Sequence, residues 1–182
     1  MNKIGIIGAG TMGNGIAQVS ALSGFETVLM DIKDEFIDRG MNTIRNNLER
    51  QVKKEKISQL DMDNSLNRIM ITIDYNNLSD CDIVVEAAIE NQDIKLNIFK
   101  ELDNICKQSA ILASNTSSIS ITKIASATKR TEKVIGMHFM NPVPIMKLVE
   151  IIKSNTALDI KEILSRVNGP EGKNYPDLAL PT

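Results

Sequence analysis

The stretch "KIGIIGAGTMGNGIAQVSALSGFETVLMD", residues 3–31, decides the fold. Its first part, KIGIIG (3–8), is a short β-rich apolar run closed by glycine, the pattern of a strand buried on both faces. TMGNGIAQVSALSG (11–24) changes to a helical period: Met12, Ile16, Val19, Ala21 and Leu22 fall mostly on one side, and Gly24 suits a helix C-cap. ETVLMD (26–31) returns to strand. Strand, helix and strand within about thirty residues make a βαβ unit.

Gly8, Gly10 and Gly13 lie at GxGxxG spacing between that first strand and the helix, the context that gives such a motif meaning. Gly8 permits the tight turn, Gly10 lets the backbone approach a pyrophosphate held at the helix N-terminus, and Gly13 lets helix and strand pack closely. Asp31 ends the second strand about twenty residues on, where a carboxylate hydrogen-bonds a ribose 2′-hydroxyl and repels a 2′-phosphate. The expected cofactor is therefore NAD rather than NADP. The competing reading is a chance glycine-rich turn with a capping aspartate. Gly15 is surplus to the fingerprint and reads as a reduction of bulk.

Outward from this unit, residues 34–56 form a long amphipathic helix with Ile37, Met41, Ile44, Leu48 and Val52 in one stripe, which Gly40 weakens slightly. A short helix follows at 59–67, then strands at 68–74 and 82–88, a helix at 91–107 with Ile94, Ile98, Leu102 and Ile105 in register, and a strand at 110–116. A helix at 119–128 turns Ile121, Ile124 and Ala125 inward, and strands at 132–140 and 147–153 complete the pattern. Alternating strands and helices predict an α/β, Rossmann-like doubly wound sheet, mostly parallel. The last residues, NGPEGKNYPDLALPT (168–182), have no periodicity and read as loop or disorder.

Bulk properties narrow the function. The 182 residues suit one domain, or one domain and a fragment. Only 3% of residues are aromatic, Trp is absent, and the net charge is −2, which argue against nucleic-acid binding. Cys81 and Cys106 are far apart and form no CxxC pair, as expected of buried thiols in a reducing compartment. No apolar run approaches the roughly eighteen residues of a membrane span, and a cytoplasmic protein is expected.

The single histidine lies in HFMNPVPIMKLVE (138–150). Hydride transfer from an alcohol needs a base for the hydroxyl proton, and a near-neutral imidazole serves. His138 stands near the end of a predicted strand, where an open α/β sheet places its ligand crevice. Glu150 offers a carboxylate to orient the ring and Ser117 a hydroxyl to position a substrate oxygen. Spacing alone leaves the plainer readings open: a structural histidine, an exposed glutamate, and a serine that caps a turn in SNTSS.

Taken together, GAGTMGNGIAQ, VVEAAIEN, SNTSSISI and GMHFMNPVPIMKLVEII resemble the 3-hydroxyacyl-CoA dehydrogenase family, in particular its bacterial 3-hydroxybutyryl-CoA members, over residues 1–153. The resemblance implies oxidation of a 3-hydroxyacyl-CoA by NAD, or reduction of a 3-ketoacyl-CoA such as acetoacetyl-CoA by NADH, in fatty acid or butyrate metabolism. It implies His138 as acid/base, Glu150 as its partner, Ser117 on the substrate oxygen, and Asn141 lining the nicotinamide and substrate pocket. It also implies cofactor contacts at Thr11, Met12, Glu90, Lys95 and Asn115. Lys54, in VKKEK, matches a lysine that holds coenzyme A phosphates; without the resemblance this cluster reads as a solvated helix end.

The family carries a second, mostly helical domain that closes over the acyl-CoA and supplies the dimer interface. Residues from about 156 show no clear match to it. We expect a NAD-binding Rossmann domain over 1–160 and a non-matching tail over 161–182, with dinucleotide binding retained, turnover weakened and self-association to a homo-oligomer. A non-catalytic NAD-binding module is the alternative, and a sibling dehydrogenase of sugar acids a more distant one.

Overall fold

The computed structural model describes residues 2–154. The expected boundary at residue 160 and the tail at 161–182 lie outside the described residues.

β1 (Lys3–Ile7), α1 (Thr11–Leu22) and β2 (Glu26–Met30) form the predicted βαβ unit. α2 (Asp34–Lys53), α3 (Gln59–Asn67) and β3 (Ile69–Thr72) follow, then β4 (Ile83–Glu86), α4 (Gln92–Ile105) and β5 (Ile111–Ser114). α5 (Ile121–Ala125), β6 (Val134–Phe139) and β7 (Val149–Lys153) come last. The strands form one sheet in the order β3-β2-β1-β4-β5-β6-β7. Every pairing is parallel except β6 with β7, a hairpin of antiparallel strands. The direction of winding reverses between β1 and β4, so the carboxyl ends of these two strands flank the crevice of the fold.

Both faces of the sheet are covered, which is why β1, β4 and β5 are almost continuously apolar. On one face Ile16, Ala17, Ile37, Ile44, Leu48 and Met62 from α1 to α3 pack on Ile4, Ile6, Leu29 and Val85. On the other, Ile98, Phe99, Leu102, Ile121 and Ile124 from α4 and α5 pack on Ile7, Val28, Val84 and Leu112.

Four details go beyond the periodicity. α1 is wedged between the sheet, α2 and α3, so polar Asn14, Gln18 and Ser20 are buried while Met12, Val19 and Leu22 are half-buried. In α4, Lys95 takes a buried position and Ile94 is partly exposed, because the first turn of that helix borders a cavity. Gly40 marks a close approach of α2 to the β1–α1 turn: a Cβ there would lie 2.7 Å from the Ala9 carbonyl oxygen. Gly15 has a similar role, since its Cβ would come 2.8 Å from Cβ of Val143 in the β6–β7 connection.

Candidate active site

The site begins with the β1–α1 turn. Gly8 has φ +97°, a left-handed conformation that a side chain would strain, and its Cβ would meet the Ala87 carbonyl at 2.7 Å. A Cβ on Gly13 would lie 1.6 Å from the Gly8 carbonyl oxygen, so helix and strand can approach only with glycine there. Gly10 has nothing within 4 Å of where a Cβ would stand and leaves the turn open. Gly10 is also the N-cap of α1, with no side-chain cap and no acid in the first turn, so the positive end of the helix is uncompensated.

Asp31 reaches back into this turn. Its Oδ2 accepts a 2.7 Å hydrogen bond from Ala9 N–H, and its Oδ1 accepts one of 2.7 Å from Ile32 N–H. The carboxylate therefore shapes the glycine turn as well as lining the cavity beside it. That cavity, about 560 Å³, is bordered by Gly8, Gly10, Thr11 and Asp31 and by apolar side chains that include Phe36, Tyr75 and Ile94. The guanidinium of Arg39 lies 4.9 Å from the Phe36 ring centroid at the same end.

A second crevice of about 320 Å³ adjoins the first, since Ala87 and Ala88 line both. Met12, Glu90, Lys95, Asn115, Ser117, His138 and Asn141 all border it. His138 and Glu150 are direct cross-strand partners in the β6–β7 hairpin, which brings their side chains to the same face. Nδ1 of His138 lies 2.9 Å from Oε2 of Glu150. A carboxylate only accepts, so Nδ1 carries hydrogen and Nε2 is the free basic nitrogen.

The opposite wall is a charged network. Glu86, fully buried at the end of β4, accepts from Lys95 Nζ at 2.6 Å, from Ala88 N–H at 2.7 Å and from the Ser114 hydroxyl at 2.7 Å. Lys95, 1% exposed, also reaches the Ala88 carbonyl and, at 3.3 Å, Glu90 Oε2. Glu90 accepts from the hydroxyls of Thr116 and Ser118 as well. Burial acts to raise the Glu90 carboxyl, but those hydroxyls and the Lys95 ammonium more than offset it, holding the group below the usual glutamate range. Asn115 spans the remaining gap: its N–H donates to the Glu86 carbonyl and its Oδ1 accepts from Phe139 N–H at 2.9 Å. These bonds fix the turn that carries Ser117.

Of the residues singled out from sequence, His138, Glu150, Ser117, Asn115, Asn141, Glu90, Lys95 and Met12 converge on the crevice or its edge. Gly8, Gly10, Gly13, Thr11 and Asp31 form the adjoining turn and cavity. Lys54 stands apart, exposed at the C-cap of α2 and bordering neither space. Glu86 and Thr116 escaped the sequence reading. Glu86 had a signal, an acid inside the apolar run DIVVEAA, since a buried carboxylate requires partners. Thr116 had none.

Comparison with known proteins identifies the family. The family profile described as "3-hydroxyacyl-CoA dehydrogenase, NAD binding domain" matches residues 3–167. The 3-hydroxybutyryl-CoA dehydrogenase of Bradyrhizobium diazoefficiens is 50% identical over 153 residues, covering 84% of this chain and 52% of its own. A probable 3-hydroxybutyryl-CoA dehydrogenase of Deinococcus radiodurans is 52% identical over 157 residues, 86% of this chain and 56% of its own. The crystal structure of the (S)-3-hydroxybutyryl-CoA dehydrogenase of Ralstonia eutropha superposes with a TM-score of 0.91 at 43% identity, over 100% of this chain and 64% of that one. The chain thus spans about half the length of the curated relatives it matches. Glycine turn, acid-tipped second strand, histidine hairpin and sequence similarity together place the chain in the 3-hydroxyacyl-CoA dehydrogenase family, to which it contributes the NAD-binding domain.

Proposed function

We propose that the chain binds NAD(H) across the Asp31 cavity and the His138 crevice and serves the interconversion of 3-hydroxyacyl-CoA and 3-ketoacyl-CoA, with 3-hydroxybutyryl-CoA and acetoacetyl-CoA as the substrate pair. The observation that carries this reading is the His138–Glu150 pair at 2.9 Å, facing a crevice continuous with a glycine turn. The open face of Gly10 and the uncapped start of α1 suit a pyrophosphate, and Asp31 suits an adenosine ribose with a free 2′-hydroxyl. A dinucleotide bound there supplies the hydride acceptor or donor.

The chain's own residues handle the proton. Nε2 of His138 takes it from the substrate 3-hydroxyl and returns it to the 3-keto oxygen in the reverse direction, while Glu150 stabilises the imidazolium. Ser117 is the donor for the substrate oxygen, Asn141 lines the reacting end, and Lys54 receives the coenzyme A phosphates. A cytosolic setting fits the two thiols: burial pushes Cys81 up to about 12 and Cys106 up to about 11, so both stay unreactive. For homo-oligomer formation, exposed Ile145, Met146, Leu148 and Ile152 offer an apolar surface. Sedimentation as a monomer at tens of micromolar would refute that part.

The test is acetoacetyl-CoA-dependent NADH consumption beside NADH titration by fluorescence. His138→Gln should lower consumption by at least about a hundredfold and leave NADH affinity within about twofold. Binding by wild type without any consumption supports the non-catalytic module instead.

A further inference from the structure

The charged groups that line the crevice or stand directly behind its lining do not balance. Three carboxylates, Glu86, Glu90 and Glu150, face one ammonium, Lys95, and one imidazole, so the group carries a net −2 with His138 neutral and −1 with it protonated. Among the described residues that border the crevice, Lys95 is the only lysine or arginine. Its charge is already spent on Glu86 at 2.6 Å, both groups being almost fully buried. Glu90 is different. It stands farther from Lys95, at 3.3 Å, its side chain is 42% exposed, and its other partners are the neutral hydroxyls of Thr116 and Ser118. Among the described residues that border the crevice it is also the only carboxylate, since Glu86 is buried against Lys95 and Glu150 bonds the His138 ring from outside the lining.

The two redox forms of a nicotinamide differ by one unit of charge on the ring: the oxidised ring is cationic and the reduced ring neutral. We propose that Glu90 sets the redox-state preference of this crevice, its carboxylate favouring the oxidised dinucleotide over the reduced one. The inference rests on the dinucleotide reading above and adds to it which form is held more tightly, and by which residue. It has a chemical consequence. A site that favours NAD⁺ over NADH draws the bound equilibrium away from ketone and towards hydroxyl-bearing substrate with oxidised cofactor, and so assists reduction of the 3-keto group.

Glu90→Gln tests it, because the amide keeps the shape and one acceptor oxygen for the Thr116 and Ser118 hydroxyls while removing the charge. NADH is titrated by fluorescence, and NAD⁺ and ADP-ribose, which lacks the nicotinamide, by competition against it. At low salt we expect NAD⁺ to weaken by about three- to tenfold, in keeping with a partly exposed charge, and NADH and ADP-ribose to stay within about twofold. Glu90→Asp keeps the charge and should keep the wild-type NAD⁺ to NADH ratio. Equal weakening of all three ligands in Glu90→Gln would mean that Glu90 only props the Ser117 turn, and would overturn the proposal, as would an unchanged ratio. A wild-type chain that binds none of the three overturns the dinucleotide reading and this inference with it.

Discussion

The Asp31 cavity and the His138 crevice meet at Ala87 and Ala88, yet they are built of different materials. The first is made of missing atoms and main chain: three glycines, an uncapped helix start, and one carboxylate that hydrogen-bonds backbone N–H groups. The second is made of side chains, and its shape depends on ion pairs and hydroxyls drawn from the ends of β4, β5 and β6 and from α4. A space bounded by backbone tolerates change at its apolar lining but none at Gly8 or Gly13. One bounded by ionised groups depends on every charge keeping its partner.

The contrast breaks most readily at Gly13. Gly13→Ala places a methyl 1.6 Å from a backbone oxygen, and a loss of more than about 5 kcal/mol is expected, seen as absent cooperative unfolding and absent NADH binding. A stable, binding-competent variant would disprove the view that the first space is set by backbone approach. Lys95→Met strikes the other space. It strands Glu86, fully buried, without its cation, and urea unfolding should show a loss of about 3–5 kcal/mol. Adding Glu86→Gln to Lys95→Met should recover part of that loss.

Asp31→Ala removes two backbone hydrogen bonds at the cavity. NADH affinity should fall by about tenfold while melting drops by only a few degrees. The smallest effect should come from Asp82, at the amino end of β4 and so at the opposite end of the strands from both spaces. Burial alone would raise its carboxyl, but Lys107 and the N–H groups of Asn2 and Lys3 outweigh that and hold it at about 2. A depressed folded value means a stabilisation present above the ordinary aspartate range and lost as pH falls towards 2. Asp82→Asn should therefore flatten the decline of melting temperature between about pH 4 and 2, with NADH binding at neutral pH unchanged.

The two spaces also differ in how far they could be read from the chain. The backbone-built end was legible because glycine at fixed spacing between a strand and a helix has few other uses, and Asp31 follows from strand length. The sheet was legible for the same reason, since buried strands leave apolar runs. The charged end was legible only in part. His138 and Glu150 are twelve residues apart, and nothing in that spacing says that an antiparallel hairpin sets them opposite each other. Family resemblance supplied their pairing as an expectation, and the register of β6 with β7 gives it a physical cause. The Glu86–Lys95 pair spans nine residues and crosses from strand to helix, a contact that tertiary packing alone creates. Gly15 reads as reduced bulk and its Val143 contact agrees, but which atoms need the room beside Gly15 and Gly40 was not legible, because Val143 and Ala9 lie far from them in sequence.

Gly15 sets a distance between parts that never touch it chemically. The helix that starts at the glycine turn rests against the loop that joins His138 to Glu150, and that contact needs position 15 to lack a methyl group facing Val143. Alanine at position 15 would act as a shim, lifting the hairpin off the helix by tenths of an ångström. Reaction rates fall steeply with small misplacements of reacting groups. The spacing between the glycine turn and the His138 ring is thus gauged by a residue that belongs to neither.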